Sequence, residues 1–368
     1  MSIQILSSEV INQIAAGEVV ERPSHLLKEL IENSIDATAT RIEIYFSQGG
    51  RGVEVIDNGQ GISEQDLAKS LDRFATSKIS NSEDIWQLRT FGFRGEALAS
   101  IASVSDLLIS SRPAEQKQAY QLRSRFGQKS NLEKTGNLNG TRIKIDNLFE
   151  NTPARLKFLK SDSAEASAIK NTLKALALSH PAVEFKIQEN NDLIFYWPVA
   201  SSRRQRVQQI LEETELFTGQ AERQGYHAEA IFSSPHKVFK TSKNIWLFVQ
   251  NRWVQDRSLQ AAVMEAYRNL LMHKEYPLAV VWLDVPLDQV DVNIHPTKSQ
   301  VKFVDASLAF RAVQASIRDV LETAPWLQGS AGGPQFSAKD YSFSSGAGAA
   351  NENHLADRSQ SMVAGENF

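Results

Sequence analysis

At 368 residues, 42% hydrophobic and 23% charged, the chain is long enough to bury two cores and has the balance of a folded globular protein. It contains no cysteine, which excludes disulfides, thiolate metal sites and a cysteine nucleophile. No apolar run approaches the roughly 18 residues of a membrane span and no signal peptide is readable, so a cytoplasmic protein without a membrane partner is expected, and the net charge of −3 singles out no ligand.

From Val10 to about Ser105, helix-like segments with 3.6-residue spacing alternate with short β-branched runs at Arg41–Phe46 and Val53–Ile56. Pro23 suits a first helical turn, and Ser24–Asp36 then places Leu27, Leu30, Ile31 and Ile35 on one face with Glu29, Asn33 and Asp36 on the other. A carboxylate and an amide four residues apart project side by side. One can activate a water while the other offers an oxygen to a hard cation, the alternative being an ordinary solvated face.

The strand predicted to end at Ile56 runs into Asp57-Asn58-Gly59-Gln60-Gly61-Ile62, where two glycines allow a tight turn and close backbone approach to a ligand. A carboxylate there can accept a hydrogen bond from the exocyclic amino group of adenine, which guanine replaces with a carbonyl. A plain hairpin turn is the alternative. Ala75-Thr76-Ser77-Lys78 opens a polar stretch reaching Gly92 that reads as a lid over a bound nucleotide. Gly92-Phe93-Arg94-Gly95-Glu96-Ala97-Leu98-Ala99-Ser100-Ile101 then leads a glycine-rich turn into a helix, whose first amides can hold phosphate oxygens; a simple helix start is the competing reading. The chain has no P-loop, so phosphates would need the cradle these segments supply together.

Further on, strands are predicted at Ala119–Phe126 and Thr141–Ile145, and a helix at Ala164–Ser179 that Pro181 terminates. A layered sheet with helices on one face fits this order. Phe195–Arg206, with Pro198 and a basic run, reads as the passage to a second unit beginning near residue 203. That unit has predicted strands at Tyr226–Phe232, Ile245–Gln250 and Leu278–Val285 and helices at Ser258–Met272 and Ser307–Glu322. Residues 201–274 hold eleven Lys/Arg against seven Asp/Glu in a chain that is acidic overall, a weak pointer to a polyanion beside the plain alternative of a solvated surface. Beyond Trp326 the composition turns to Gly, Ser, Ala, Asn and Gln, as expected of a linker or tail.

Three of these segments carry a specific resemblance: Ile14-Ala15-Ala16-Gly17-Glu18-Val19-Val20-Glu21-Arg22-Pro23, Lys28-Glu29-Leu30-Ile31-Glu32-Asn33-Ser34-Ile35-Asp36-Ala37, and the Gly92–Ile101 run. In identity and order they resemble the ATPase region of MutL-type DNA mismatch repair proteins, within the superfamily that also includes gyrase, Hsp90 and histidine kinases. The similarity runs from about residue 3 to residue 325, and Gly92-Phe93-Arg94-Gly95-Glu96-Ala97-Leu98 is characteristic of the MutL branch. The implied fold is α+β: an α/β sandwich ATPase domain at residues 1–200, a domain like ribosomal protein S5 domain 2 with a left-handed βαβ crossover at 203–327, and a flexible segment at 328–368.

The resemblance implies ATP and Mg²⁺ as ligands, with Glu29 as the base that activates water, Asn33 as the magnesium ligand and Asp57 as the adenine reader. Gly61, Thr76, Lys78, Arg94, Gly95 and Thr141 match nucleotide-pocket positions, and Asp36 either touches the nucleotide or supports the pocket. Lys298, within Val290-Asp291-Val292-Asn293-Ile294-His295-Pro296-Thr297-Lys298, matches the γ-phosphate lysine, and Arg257 a DNA-binding groove. Gln250-Asn251-Arg252-Trp253 departs from the usual Asn-Gly-Arg, which leaves that turn's backbone open while the active site is expected to be unaffected.

The partners so implied are DNA, a second copy through an ATP-dependent N-terminal homodimer in which Met1–Ser24 exchanges between protomers, a mismatch-sensing MutS-type protein and downstream repair enzymes. A C-terminal dimerisation domain is expected beyond the linker, and no nuclease activity within this segment. The ATPase half of a type II topoisomerase is the rival enzyme, disfavoured by the Gly92–Leu98 heptapeptide. A scaffold holding ATP as a structural ligand is the rival from another class, disfavoured by Glu29. A histidine kinase would need a preceding helix pair with a phospho-acceptor histidine.

Overall fold

The computed structural model describes residue 4 and residues 20–78, 95–136, 139–291 and 301–323. The first half builds, in chain order, α1 (Pro23–Asp36), β1 (Arg41–Ser47), β2 (Gly52–Asp57), α2 (Glu64–Lys69), α3 (Ala97–Ser103), β3 (Asp106–Arg112), β4 (Ala119–Arg125), β5 (Gln128–Lys129), β6 (Glu133–Thr135), β7 (Gly140–Asp146), α4 (Pro153–Phe158), α5 (Asp162–Ser179), β8 (Glu184–Glu189) and β9 (Asp192–Trp197). The strands form one sheet in the order β5-β4-β3-β7-β2-β1-β8-β9, with β6 against β4. Among the described strands of this sheet, only β1 and β8 pair in parallel.

Alternation along the strands decides which face is covered. Ile42, Ile44 and Phe46 of β1, Val53 and Val55 of β2 and Ile143 and Ile145 of β7 share one buried cluster with Leu27, Leu30 and Ile31 of α1 and Ile169, Leu173 and Leu176 of α5. The opposite parity puts charges on the outer face, paired across strands as Lys186–Glu43 at 3.2 Å, Arg123–Asp106 at 2.6 Å and Arg142–Glu54.

The second half begins with α6 (Arg203–Leu211), followed by β10 (Leu216–Arg223), β11 (Tyr226–Ser233), β12 (Val238–Phe239), β13 (Ile245–Val249), β14 (Arg252–Val254), α7 (Arg257–Ala266), β15 (Tyr276–Pro277), β16 (Ala279–Asp284), β17 (Val290–Asp291), β18 (Lys302–Phe303) and α8 (Ala306–Thr323). Its main sheet is ordered β10-β11-β16-β13-β14, and β13 and β16 run parallel, so the chain between them crosses over through α7. α7 and α8 pack on each other, and α8 lies on β10 and β11. The fold is α+β, with a large sheet followed by a smaller one, as expected.

Two predicted boundaries are corrected. Phe195–Arg206 is not simply a passage: Phe195–Trp197 complete β9, and Arg203–Arg206 open α6, where Ser202 caps the helix by accepting from Gln205 N at 3.2 Å. Within the basic run, Arg206 is fully buried and donates to the carbonyls of Pro181 and Val183 at 2.7 and 2.6 Å. The helix expected over Ser258–Met272 stops at Ala266. Tyr267 turns inward to donate to Ser233 O at 2.6 Å, and Asn269 takes a φ of 66°, which no α-helix accommodates.

Arg206 therefore fastens α6 to the chain entering β8. Burial lowers its guanidinium only to about 10, so the group stays charged at neutral pH. Arg206→Ala strands two buried carbonyls and should lower unfolding stability by about 2–4 kcal/mol, read as a shifted urea midpoint; an unchanged midpoint would show the tie carries no weight.

Candidate functional site: a polar helix face over a buried carboxylate

α1 starts with Pro23 in its first turn, where a missing N–H costs nothing, and buries Leu26, Leu27, Leu30 and Ile31 at 1% exposure or less. Ile35 is half-buried but still packs against the same core, so the apolar stripe runs as its spacing predicts. Glu29, Asn33 and Asp36 are half-buried along the other side, as the spacing requires. Ser34 and Glu32 are buried between the two faces, at 4% and 3% exposure, which the pattern does not foretell.

Ser34 explains itself through Asp57. Its hydroxyl donates to Asp57 Oδ2 at 2.7 Å, while Gly59 N and Thr141 N donate to Oδ1 at 2.9 and 3.3 Å. The Asp57 carboxylate is 6% exposed, the last residue of β2, opposite Thr141 of β7. Burial raises its pKa above the ordinary carboxylate range, and the three donors from Ser34, Gly59 and Thr141 pull it back. Three donors leave a carboxylate with acceptor capacity for one more, which suits an amino group.

The surrounding backbone is shaped by close approach. At Gly140, with φ 88°, an added Cβ would sit 2.1 Å from Asp57 O. A side chain at Gly140 would push apart β2 and β7, the strands that present Asp57 and Thr141, and at Gly61, with φ 73°, a Cβ would sit 2.5 Å from Arg112 O at the end of β3. Ser111, buried on β3, ties these pieces together: its hydroxyl donates to Gly140 O at 3.0 Å, lies 2.9 Å from Thr141 Oγ1 and accepts from Ile62 N at 2.8 Å.

Lys78 completes the face. Its ammonium donates to Asn33 Oδ1 at 2.9 Å and to Asp36 Oδ2 at 2.5 Å, and its backbone N–H donates to Thr76 Oγ1 at 3.2 Å. Gly95 packs against Ala75, its carbonyl accepting from Phe74 N at 3.0 Å. The helix expected after it is the short α3. Arg94, Lys298 and most of the expected lid, residues 79–94, lie outside the described residues. Arg257 is exposed as the first residue of α7, whose cap Asp256 accepts from Leu259 N at 2.8 Å.

The structure also brings Arg252 beside α1. Gln250 and Asn251 both take positive φ, 51° and 60°, as a two-residue turn between β13 and β14 demands, so the departure from Asn-Gly-Arg leaves the turn intact. The turn lies beside α1. Arg252 lines a cleft of about 10 Å³, room for one water, with Lys28 and Glu32 of α1, Thr172 of α5 and Trp253. Burial lowers the Arg252 guanidinium, while Glu32, Glu29 and Asp36 raise it, which puts the cation in the field of the α1 acids.

These residues fit a magnesium–nucleotide ligand on their own chemistry. Asn33 presents a neutral amide oxygen that already accepts from a cation. A hard cation takes oxygen ligands of this kind, and the Asn33 amide oxygen is one such donor.

Comparison with known proteins identifies the family. The family described as "Histidine kinase-, DNA gyrase B-, and HSP90-like ATPase" matches residues 22–152, and the family described as "DNA mismatch repair protein, C-terminal domain" matches residues 207–322. The first match spans α1, Asp57 and Thr141, which makes the chain an ATPase-domain protein of that class. The DNA mismatch repair protein MutL of Geobacter sp. strain M21 is 37% identical over 333 residues, covering 89% of this chain and 51% of that protein. The MutL of Dictyoglomus thermophilum is 37% identical over 324 residues, covering 87% and 56%. Among solved structures, the Aquifex aeolicus MutL ATPase domain complexed with ADP aligns with a TM-score of 0.60 at 25% identity, over 80% of this chain and 98% of that one. The chain belongs to the MutL family of DNA mismatch repair proteins. It spans about half the length of the curated relatives it matches.

The raised Asp57 pKa has a measurable sign. A folded-state pKa above the unfolded one means the folded chain holds this proton more tightly, so the group favours folding below the ordinary carboxylate range and loses that contribution as pH rises through the raised value. Urea titrations at a series of pH values should show wild type gaining stability relative to Asp57→Asn as pH falls. A gain in the opposite direction contradicts the burial argument.

Proposed function

We propose that this chain is the ATPase module of a MutL-type mismatch repair protein, with the polar face of α1 and the Asp57 carboxylate as its nucleotide site. The observation that carries the reading is Asp57 itself: a buried carboxylate held open by Ser34, Gly59 and Thr141, at the foot of the helix that presents Glu29 and Asn33. A group so placed selects adenine by accepting from its exocyclic amino group, which guanine lacks at that position.

Glu29 is the general base. It takes a proton from a water whose oxygen forms a bond to the γ-phosphorus, while the bond to the β–γ bridging oxygen breaks and ADP leaves. Asn33 would hold Mg²⁺, which when bound neutralises charge on the phosphate oxygens. Gly61, Thr76, Lys78, Arg94, Gly95 and Thr141 surround the nucleotide, and Lys298 from the second unit reaches the γ-phosphate to stabilise developing charge. Residues 1–200 act as the nucleotide-binding domain, 203–327 as the S5-like domain and 328–368 as a linker.

ATP binding favours a closed, N-terminally dimerised state, and hydrolysis resets it. Arg257 contributes to a DNA-binding surface whose affinity falls with salt, and the module couples a mismatch-sensing MutS-type protein to downstream repair enzymes in the cytoplasm. No helix among the described residues is long and apolar enough to cross a membrane.

Two variants separate binding from chemistry. Glu29→Ala should retain ATP binding and lose about 100-fold or more in turnover, as removal of a general base does; unchanged turnover removes Glu29 from that role. Asp57→Asn should weaken ATP binding by at least about tenfold and narrow the preference for ATP over GTP, both read by calorimetry. Equal preference in wild type would count against Asp57 as the base reader.

A further inference from the structure

The proposed function gives Asp36 no task, yet Asp36 is where the site's electrostatics converge. Its Oδ2 lies 2.5 Å from Lys78 Nζ, and the same ammonium donates to Asn33 Oδ1 at 2.9 Å. Lys78 and Asp36 are 20% and 9% exposed, so this pair is packed against α1 rather than extended into solvent. Asp36 stands three residues after Asn33 on one helix, so both oxygens face the same point in space. An amide oxygen alone holds an ammonium group weakly, whereas a covered carboxylate at this distance makes a charge-assisted bond.

The result is that the oxygen assigned to magnesium is engaged by a protein cation. An inner-sphere magnesium–oxygen contact is about 2.1 Å long, and an ammonium group could not stay on the same oxygen without bringing two like charges together. The backbone N–H of Lys78 is fixed on Thr76 Oγ1, so its side chain exchanges partners from a held base rather than by moving the whole segment.

We propose that Asp36 is a positioning residue that parks the Lys78 ammonium on Asn33, so that Lys78 competes with the metal for this oxygen and passes to the phosphates only when metal and nucleotide arrive together. The device rests on the reading of Asn33 as the metal-binding residue. It keeps the carboxylate-rich face of α1 neutralised before loading, and it makes Lys78 available to an anion at the moment it leaves Asn33. Metal without nucleotide then gains little, since it would displace Lys78 with no phosphate to receive it.

The test is a magnesium titration of the intact chain at a fixed concentration of a fluorescent, non-hydrolysable ATP analogue, read by polarisation without turnover. Asp36→Asn keeps the shape and removes the charge that parks Lys78, so it should lower the magnesium midpoint by about three- to tenfold. Loss of a nearby carboxylate on simple Coulomb grounds would raise the midpoint instead, so the sign is decisive. In a Lys78→Met background the same Asp36→Asn change should no longer lower the midpoint, because there is no ammonium to release. A midpoint unchanged or raised by Asp36→Asn in the otherwise wild-type chain overturns the proposal, as does an equal lowering in the Lys78→Met background. Asn33→Ala reports on the underlying reading: a raised midpoint there with none of the Asp36 effect rejects only the parking of Lys78, whereas an unchanged midpoint rejects Asn33 as metal ligand. Thermal melts of each variant check folding, and Asp36→Ser replaces Asp36→Asn should the latter fail to fold.

Discussion

Everything at the site depends on a carboxylate that the fold has taken out of water. Asp57 ends β2 at 6% exposure, and an ion so placed is tolerable only because Ser34, Gly59 and Thr141 point their donors at it. Those donors come from α1, the turn after β2, and β7, so satisfying one charge fixes three elements relative to each other. Gly140 allows β7 to pass close enough to Asp57 for this, and Ser111 secures the same corner from β3. A preorganised acceptor results, with its cost already met by the folded state.

The remaining charges are arranged around that anchor. α1 carries Glu29, Glu32 and Asp36 within a few turns, an unfavourable concentration unless cations attend it. Lys28 pairs with Glu32 at 3.8 Å and Lys78 with Asp36, and the field of all three acids falls on Arg252 from the β13–β14 turn. Arg252 matters for a second reason: it belongs to the smaller sheet. The acids of α1 therefore act on a cation carried by the smaller sheet.

What could be seen in the sequence was whatever obeys a period or a local rule. α1 was legible from its 3.6-residue spacing, β1 and β2 from alternation, and Asp57 from its place between a strand and two glycines. The family motifs assigned roles that spacing alone left open. Serines escaped notice because a buried serine and a solvated one look alike in sequence: Ser34 and Ser111 acquire meaning only when a carboxylate or strand from far along the chain arrives. β3 was hidden for the same reason, its Ser110 and Ser111 both buried in the middle of the sheet. The roles of Arg206 and Arg252 were not legible because the carbonyls that Arg206 meets and the α1 carboxylates that act on Arg252 are supplied only by tertiary structure.

The central claim is that the α1 face and Asp57 form one nucleotide site. A crystal structure of the chain with magnesium and a non-hydrolysable ATP analogue tests it most directly. The account requires the adenine amino group within hydrogen-bond distance of an Asp57 carboxylate oxygen, with the phosphates beside Glu29 and Asn33. An adenine ring bound away from Asp57, or phosphates held on another face of α1, would contradict it.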